Sequence, residues 1–405
     1  MANRRRLEDV ALGFAGQIRP FDEGVAGVLS DADIRALMQR GSVRPADESR
    51  IQPASLDLAL SGEAVRVRSS FLPGQEGKVA DFIHALAIKS FSLGDGAVLE
   101  PGGVYLVALA DELRLPAAVS ARCNPKSSTG RIDVFVRVIG DGFSSFDDVP
   151  AGYTGKLWLE IAPRTFPIIV RPGSRLAQMR FRSGHAVVSD EEIFALEKRA
   201  DGGHPFLQGG DAMLRGGLAL TIDLAPKAGP VGFRARRNAG AIDVDAVGAL
   251  DPLDFWEPLR LQAGGVILEP NEFYILASHE AMCVPAGFAA EMVAFDAGIA
   301  EARIHYAGFM DPGFGCDAPS RAVLEVRPHD VPFLVTHRQT VCRIVYERMA
   351  SMPSQLYGSG SNYQGQGLRL SKAFLPWPAP QVEPIPKQPF WRSRFGMKPR
   401  ASARS

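Results

Sequence analysis

Cysteine, net charge and long apolar runs are what this sequence has least of, and each shortage excludes something. Four cysteines occur in 405 residues, Cys123, Cys283, Cys316 and Cys342, widely spaced and with no Cys-x-x-Cys pair. That usage argues for reduced thiols in a cytoplasmic protein. Lysine plus arginine number 45 and aspartate plus glutamate 45, so the formal net charge is zero. Global charge therefore gives no reason to expect a nucleic-acid or membrane partner. Arg4-Arg5-Arg6 is basic, but no long apolar segment follows it, and neither a signal peptide nor a membrane span is expected. Clear helical periodicity is scarce as well. The length exceeds that of a usual single domain, which makes two domains the expectation.

What the chain does have is short strand patterns between Gly, Pro and Asp turns, the signature of an all-β sandwich or barrel. Leu29 to Met38 reads as a short amphipathic helix with Ser30 as N-cap. Ile51 to Leu60 alternates as a half-buried strand does. The strongest signal is an internal repeat. Val98-Leu99-Glu100-Pro101 recurs as Ile267-Leu268-Glu269-Pro270, with Tyr105 matching Tyr274 and Pro116 matching Pro285. Ser55-Leu56-Asp57-Leu58 recurs as Thr221-Ile222-Asp223-Leu224, and Pro167-Ile168-Ile169-Val170 as Pro332-Phe333-Leu334-Val335. Leu157-Trp158-Leu159-Glu160 recurs as Ala322-Val323-Leu324-Glu325. Several blocks matching in one order imply a tandem duplication of one β domain, joined by a charged, Gly-rich linker near Ser189 to Arg215.

Chemistry concentrates in Asn124-Pro125-Lys126-Ser127-Ser128-Thr129-Gly130-Arg131, where hydroxyls, a lysine and an arginine sit together. Hydroxyl and main-chain donors with cations beside them suit a polyphosphate. Taken alone, such a cluster is more often a solvated turn. The second copy has Phe295-Asp296-Ala297-Gly298-Ile299-Ala300 there instead, so the cluster occurs once. Glu160 and Glu325 each stand in an apolar strand. A buried carboxylate needs a partner or a job, and the bland reading of each is an edge residue or a member of an ion pair. The second copy also carries Arg303 to Gly315, read as a hairpin closing on a compact Asp311-Pro312-Gly313 turn. Tyr357 to Gly367 combines glycines with Tyr363, Gln364 and Gln366, which could stack on and hydrogen-bond a ligand, or form a plain linker.

Together these residues resemble the dCTP deaminase family of the dUTPase-like superfamily, in a longer duplicated form. Ile51 to Leu58 resembles the family's early strand, and Lys126 to Arg131 its Arg-Ser-Ser-x-x-Arg motif with Lys in place of the first Arg. His305 to Gly315 resembles the substrate hairpin, Val323-Leu324-Glu325 and Trp158-Leu159-Glu160 the strand with the catalytic glutamate, and Tyr363 to Gln366 the C-terminal lid. The resemblance covers roughly Leu29 to Lys372. The chain departs from the family in the duplication, the inserted loop at Gly142 to Val149 and the missing second cluster. The fold implied is all-β, a tandem duplication of a dUTPase-like β-clip or distorted jelly-roll barrel with few short helices. The divisions are an arm at 1–28, a first β domain at 29–190, a linker at 191–215, a second β domain at 216–350, a lid at 351–375 and a Pro-rich basic tail, expected to be disordered, at 376–405.

The activity implied is hydrolytic deamination of dCTP to dUTP and ammonia, with no metal in the chemistry and Mg2+ accompanying the triphosphate. The sequence agrees in one respect: the His-x-Glu and Pro-Cys-x-x-Cys of zinc deaminases do not occur. A carboxylate must then activate water, with Arg131 or Ser127 stabilising charge that develops on the ring. In the family each site is shared between neighbouring subunits of a trimer. Here its halves are divided between copies, which implies a composite site. Its base is Glu325 rather than Glu160, and Lys126, Ser127, Ser128 and Arg131 come from a first copy, in the same chain or a neighbour. His305, Ala307, Asp311, Tyr357, Tyr363, Gln364 and Gln366 complete the substrate contacts. The resemblance also implies a cytoplasmic homo-oligomer, as a trimer of duplicated chains or a pseudo-hexamer, with feedback by dTTP and no nucleic-acid or membrane partner. Two other readings stay open: a dUTPase or bifunctional enzyme, with Asp311 activating water, and an inactive nucleotide sensor.

Overall fold

The computed structural model describes residues 25–378, apart from 200–205, 209–213, 295–301, 305–307, 329 and 359–360. Its elements are overwhelmingly strands, with a few short helices such as Asp31–Gln39, which Ser30 caps as its sequence predicts. Among the described residues no helix is long and apolar enough to cross a membrane.

In the first half two sheets share one core. Val119–Pro125 and Ala177–Ser183 pair antiparallel, with Cys123 opposite Met179, and Ser55–Leu58 continues that sheet. The other sheet runs Val134–Gly140, Thr154–Pro163, Val104–Arg114, Leu60–Val67, Ala87–Ser92. Alternation does the sorting. Leu157, Leu159 and Ile161 enter the core, so Trp158 and Glu160 face the other way. That outer face is covered: Trp158 packs with Val79, Leu106 and Ile139, and Phe71 joins them.

The second half repeats these relations. Leu106 pairs with Glu160 across the first half, and Ile275 pairs with Glu325 across the second. The Tyr105 hydroxyl accepts from the Glu100 N–H at 3.1 Å, and the Tyr274 hydroxyl from the Glu269 N–H at 2.8 Å. Ile168–Val170 pairs with Ala97–Leu99, as Phe333–Thr336 pairs with Gly265–Leu268.

The halves are not strung like beads. Ile168 and Ile169 pair in parallel with Ile242 and Asp243. Phe233, Trp256, Phe273 and Val323 of the second half belong to the first core. The interval read as a linker is partly structured. It holds helix Asp190–Arg199 and strand Leu207–Gln208, and the strand pairs with Tyr274–Met282. Its composition is polar, yet Ile193, Phe206 and Leu207 are apolar anchors of the second core. The expected arm and tail also reach into the fold. Gly27–Val28 pairs with Ala177–Ser183, and the Trp377 ring lies 4.6 Å from that of Phe233. The rest of the arm, 1–24, and of the tail, 379–405, lies outside the described residues.

The cysteine expectation needs correcting too. Cys283 and Cys316, 33 positions apart, form a disulfide, while Cys123 and Cys342 are buried free thiols. Sequence spacing concealed the pair because a turn brings Cys316 back to the strand end. The Gly313 N–H donates to the Val284 carbonyl at 2.7 Å, and the Val284 N–H to the Phe314 carbonyl at 2.8 Å.

Candidate active site

The strand Val119–Pro125 ends at a proline, and Lys126 to Arg131 then turn through the one-turn helix Ser127–Gly130. The Thr129 hydroxyl ties this turn to the Leu176 carbonyl at 2.9 Å. Lys126, Ser127, Ser128 and Arg131 form one wall of a cleft of about 220 Å3. Arg131 is buried. Its guanidinium lies 4.0 Å from the centre of the Tyr363 ring and donates at 3.0 Å to both Gln366 Oε1 and the Arg369 carbonyl. Burial pulls its pKa down, and the fields of Tyr363 and Glu325 act against that. Lys126 pairs with the buried Asp57. Lys372 lines the same cleft with its pKa lowered, by burial first and by repulsion from Lys126 second. Two mutually repelling ammonium groups are a poised site for a polyanion, whose arrival relieves the repulsion.

The opposite wall comes from the second half: Phe309, Met310, Asp311, Phe314, Ala322 and Val323. Arg180, fully buried on a first-half strand, reaches across to hold it. It donates to the Met310 carbonyl at 3.3 Å and to Asp311 Oδ1 at 3.2 Å, and lies 4.1 Å from the Phe309 ring centre. Burial raises the Asp311 pKa, and the Arg180 charge opposes the shift. The turn after Asp311 requires its glycines. Gly315 has φ of +71°, and a Cβ there would stand 1.9 Å from the Met282 carbonyl oxygen. Among the described residues the expected hairpin does not pair with itself: Ala302–Ile304 pairs with Ser320–Pro328, and Phe309–Met310 with Phe288–Ala294, in a different sheet. His305 and Ala307 lie outside the described residues.

The two glutamates part company. Val323, Glu325 and Arg327 share one face of Ser320–Pro328, and Val323 and Arg327 meet the first half there. Val323 lines the cleft, and Glu325, only 1% exposed, lies behind it within the field of Arg131. Two residues on, Arg327 pairs with Asp133, itself two residues beyond Arg131. Glu160 instead accepts from Arg137 Nη2 at 2.6 Å and Nε at 3.0 Å, on the face covered by Trp158 and its neighbours. Like Glu325 it is not among the residues lining the cleft, and it sits in the ion pair that its bland reading anticipates.

The C-terminal segment closes the cleft with Tyr357, Ser361, Asn362, Tyr363 and Gln366. Burial pushes the Tyr357 hydroxyl up to about 12. Gln366 also donates to the Arg321 carbonyl at 3.0 Å, and the Ser371 hydroxyl donates to the Ser128 carbonyl at 2.9 Å. Gln364 does not line the cleft. Its amide accepts from the Gly315 N–H at 3.1 Å and donates to the Gly313 carbonyl at 3.2 Å, clamping the turn. Sequence reasoning missed Gln52, Asp57, Gln178 and Lys372 in the lining and Arg180 behind it. Its usable signal was polar residues at alternating positions in otherwise apolar strands, as in Gln178 and Arg180 around Met179.

Comparison with known proteins agrees with this construction. Residues 25–185 match the family model for the N-terminal domain of 2'-deoxycytidine 5'-triphosphate deaminase, and residues 189–374 match that for its C-terminal domain. A dCTP deaminase of Haloarcula marismortui is 30% identical over 163 residues, covering 38% of this chain and 79% of that protein. A protein of Coprothermobacter proteolyticus named dCTP deaminase, dUMP-forming, is 29% identical over 157 residues, covering 38% of this chain and 81% of its own. The crystal structure of 2'-deoxycytidine 5'-triphosphate deaminase from Agrobacterium tumefaciens superposes with a TM-score of 0.77 at 48% identity, over 83% of this chain and 99% of that one. On its strand pairings, its cleft and these matches, the chain belongs to the 2'-deoxycytidine 5'-triphosphate deaminase family.

Proposed function

We propose that the cleft hydrolyses dCTP to dUTP and ammonia at a composite site that one chain builds from both its halves. The observation that carries this reading is the convergence of Lys126, Ser127, Ser128 and Arg131 with Asp311 and Val323 around one space, with Glu325 two residues along the strand from Val323 and its charge acting on Arg131. The cationic wall takes the triphosphate, whose Mg2+ arrives as part of the substrate. Glu325 takes a proton from water as its oxygen attacks the ring carbon bearing the amino group. Arg131 and Ser127 donate to the charge that develops there. One water proton ends on ring N3 and the other on the amino group, the C–N bond breaks as the attacking oxygen becomes the carbonyl, and ammonia leaves.

The repeat supports a tandem duplication in which the first copy keeps the phosphate wall and the second keeps the base. Its matched strand pairings fit this, as do single-unit relatives that cover 38% of the chain. The domain boundaries, a homo-oligomeric assembly and feedback by dTTP are parts of the same proposal. Arg180, Asp57 and Gln364 act as positioning residues.

The test compares single-turnover deamination of dCTP in Glu325→Gln and Glu160→Gln, both checked for folding. Loss of a general base costs roughly 10²–10⁴-fold in rate, so Glu325→Gln should lose at least about 10²-fold while still binding nucleotide. Glu160→Gln should fall well short of that. The reverse pattern would overturn the assignment, and half activity in each variant would mean two working sites. Product analysis with dCTP and dUTP separates ammonia release from pyrophosphate release, and so separates deamination from hydrolysis of the phosphate chain.

A further inference from the structure

Outside the cleft, Asp223, His279 and His337 converge, and their donor atoms all lie within 4.8 Å of one another. Asp223 Oδ1 is 3.9 Å from His279 Nδ1 and 3.8 Å from His337 Nδ1. We propose that this cluster binds one divalent transition-metal ion of the Zn2+, Co2+ and Ni2+ class, at a site separate from the reaction.

Donor chemistry selects the ion. Two imidazoles and a carboxylate suit borderline first-row ions, which accept three protein ligands and complete their shell with water. Mg2+ prefers oxygen donors and keeps its waters, so this site and the nucleotide's counterion do not compete. Arg321 pairs with Asp223 Oδ2, and Oδ1, which accepts from the Ala225 N–H at 3.0 Å, faces the two histidines. His279 Nδ1 is shut off from solvent and has no hydrogen-bond partner among the described residues. His337 Nδ1 accepts from the Leu224 N–H at 3.1 Å, so this ring binds an ion either through Nε2 or by giving up that hydrogen bond.

Geometry fits as well. Metal bonds of about 2.0–2.1 Å at tetrahedral angles set donor atoms roughly 3.4 Å apart, a contraction of about half an ångström for the two carboxylate–imidazole distances and of up to about 1.4 Å within the 4.8 Å that bounds the set. The three residues ride on fixed backbone. The Asp223 N–H donates to the Ala277 carbonyl at 3.0 Å, and the Arg338 N–H to the Ile222 carbonyl at 2.9 Å. The two imidazole rings meet edge to face with centres 5.3 Å apart. Read across the repeat, the first copy has Asp57, Ala110 and Pro172 at these positions, so the set belongs to the second copy alone.

The experiment uses the full chain, stripped with a chelator and titrated with Co2+ by visible absorption and with Zn2+ by calorimetry. The expected result is one equivalent bound. The d–d bands should lack thiolate charge transfer, because Cys123 and Cys342 are buried and the other two cysteines are bonded. His279→Ala and His337→Ala should each weaken binding at least tenfold while keeping the circular dichroism and the deamination rate of the stripped wild type. His84→Ala, on an exposed helix position, should bind as wild type. Absence of stoichiometric binding at micromolar ion would overturn the proposal, as would binding that survives both substitutions. Either result would make the cluster a plain carboxylate–imidazole contact without touching the assignment of the cleft.

Discussion

Arg327→Met should loosen the two halves at the point nearest the proposed chemistry. Arg327 Nη2 pairs with Asp133 and donates to the Thr165 hydroxyl at 2.7 Å, and that hydroxyl donates to Asp133 Oδ2 at 2.6 Å. Both charges are buried, at 8% and 2% exposure. Removing one member of a buried pair typically costs ~3–5 kcal/mol, because the other charge is left in low dielectric, whereas neutralising both is often tolerated. Arg327→Met should therefore lose about 3–5 kcal/mol in urea unfolding, and Arg327→Met with Asp133→Asn should recover most of it. Asparagine is the right partner because Asp133 has φ of +56°, a conformation asparagine tolerates. Since Arg131 and Glu325 each stand two residues away, the single variant should also lower kcat more than it raises KM. A double variant whose loss equals the sum of the two single losses would refute the coupling, and a stable Arg327→Met would refute the buried-charge argument.

Three further outcomes are expected. Ser127→Ala and Arg131→Ala should impair turnover although they lie in the other copy from Glu325, and assays of the two variants at saturating dCTP would reveal any surviving activity. Tyr363→Leu removes the ring under Arg131, an interaction of about 0.5–2 kcal/mol, and should weaken nucleotide binding by up to about thirtyfold in calorimetry. Mass spectrometry after alkylation of the unreduced, denatured protein should find Cys123 and Cys342 modified and Cys283 linked to Cys316. Four alkylated cysteines would contradict the disulfide.

Legibility followed distance along the chain. The Ser30 cap, the alternation that buries Leu157, Leu159 and Ile161, and the Lys126 to Arg131 cluster are local and could be read directly. The C-terminal segment was only half legible. Tyr363 and Gln366 reach the cleft as their composition suggests, but Gln364 turns to the Gly313–Gly315 backbone. Leu370, Ala373 and Phe374 enter the first core. Cutting the chain before Tyr357 would therefore remove core as well as lid, so point substitutions are the cleaner test. Asp57, Gln178 and Arg180 escaped notice because one polar residue in an apolar strand has many uses, and its use depends on what faces it.

By itself the sequence determined the all-β class, the internal repeat, the single phosphate-like cluster and the pair of candidate glutamates. Those follow from residue period and spacing, which act between neighbours. Tertiary structure gave the two glutamates different surroundings. Glu160 and Glu325 hold equivalent pairings within their own sheets, but Glu160 is answered by Arg137 on a covered face, while the charge of Glu325 is felt at Arg131. It also joined Arg131 to Gln366 across 235 positions, Arg327 to Asp133 across 194 and Cys283 to Cys316 across 33. Contacts at such separations depend on how two sheets are packed and interlocked, and no local pattern carries that information.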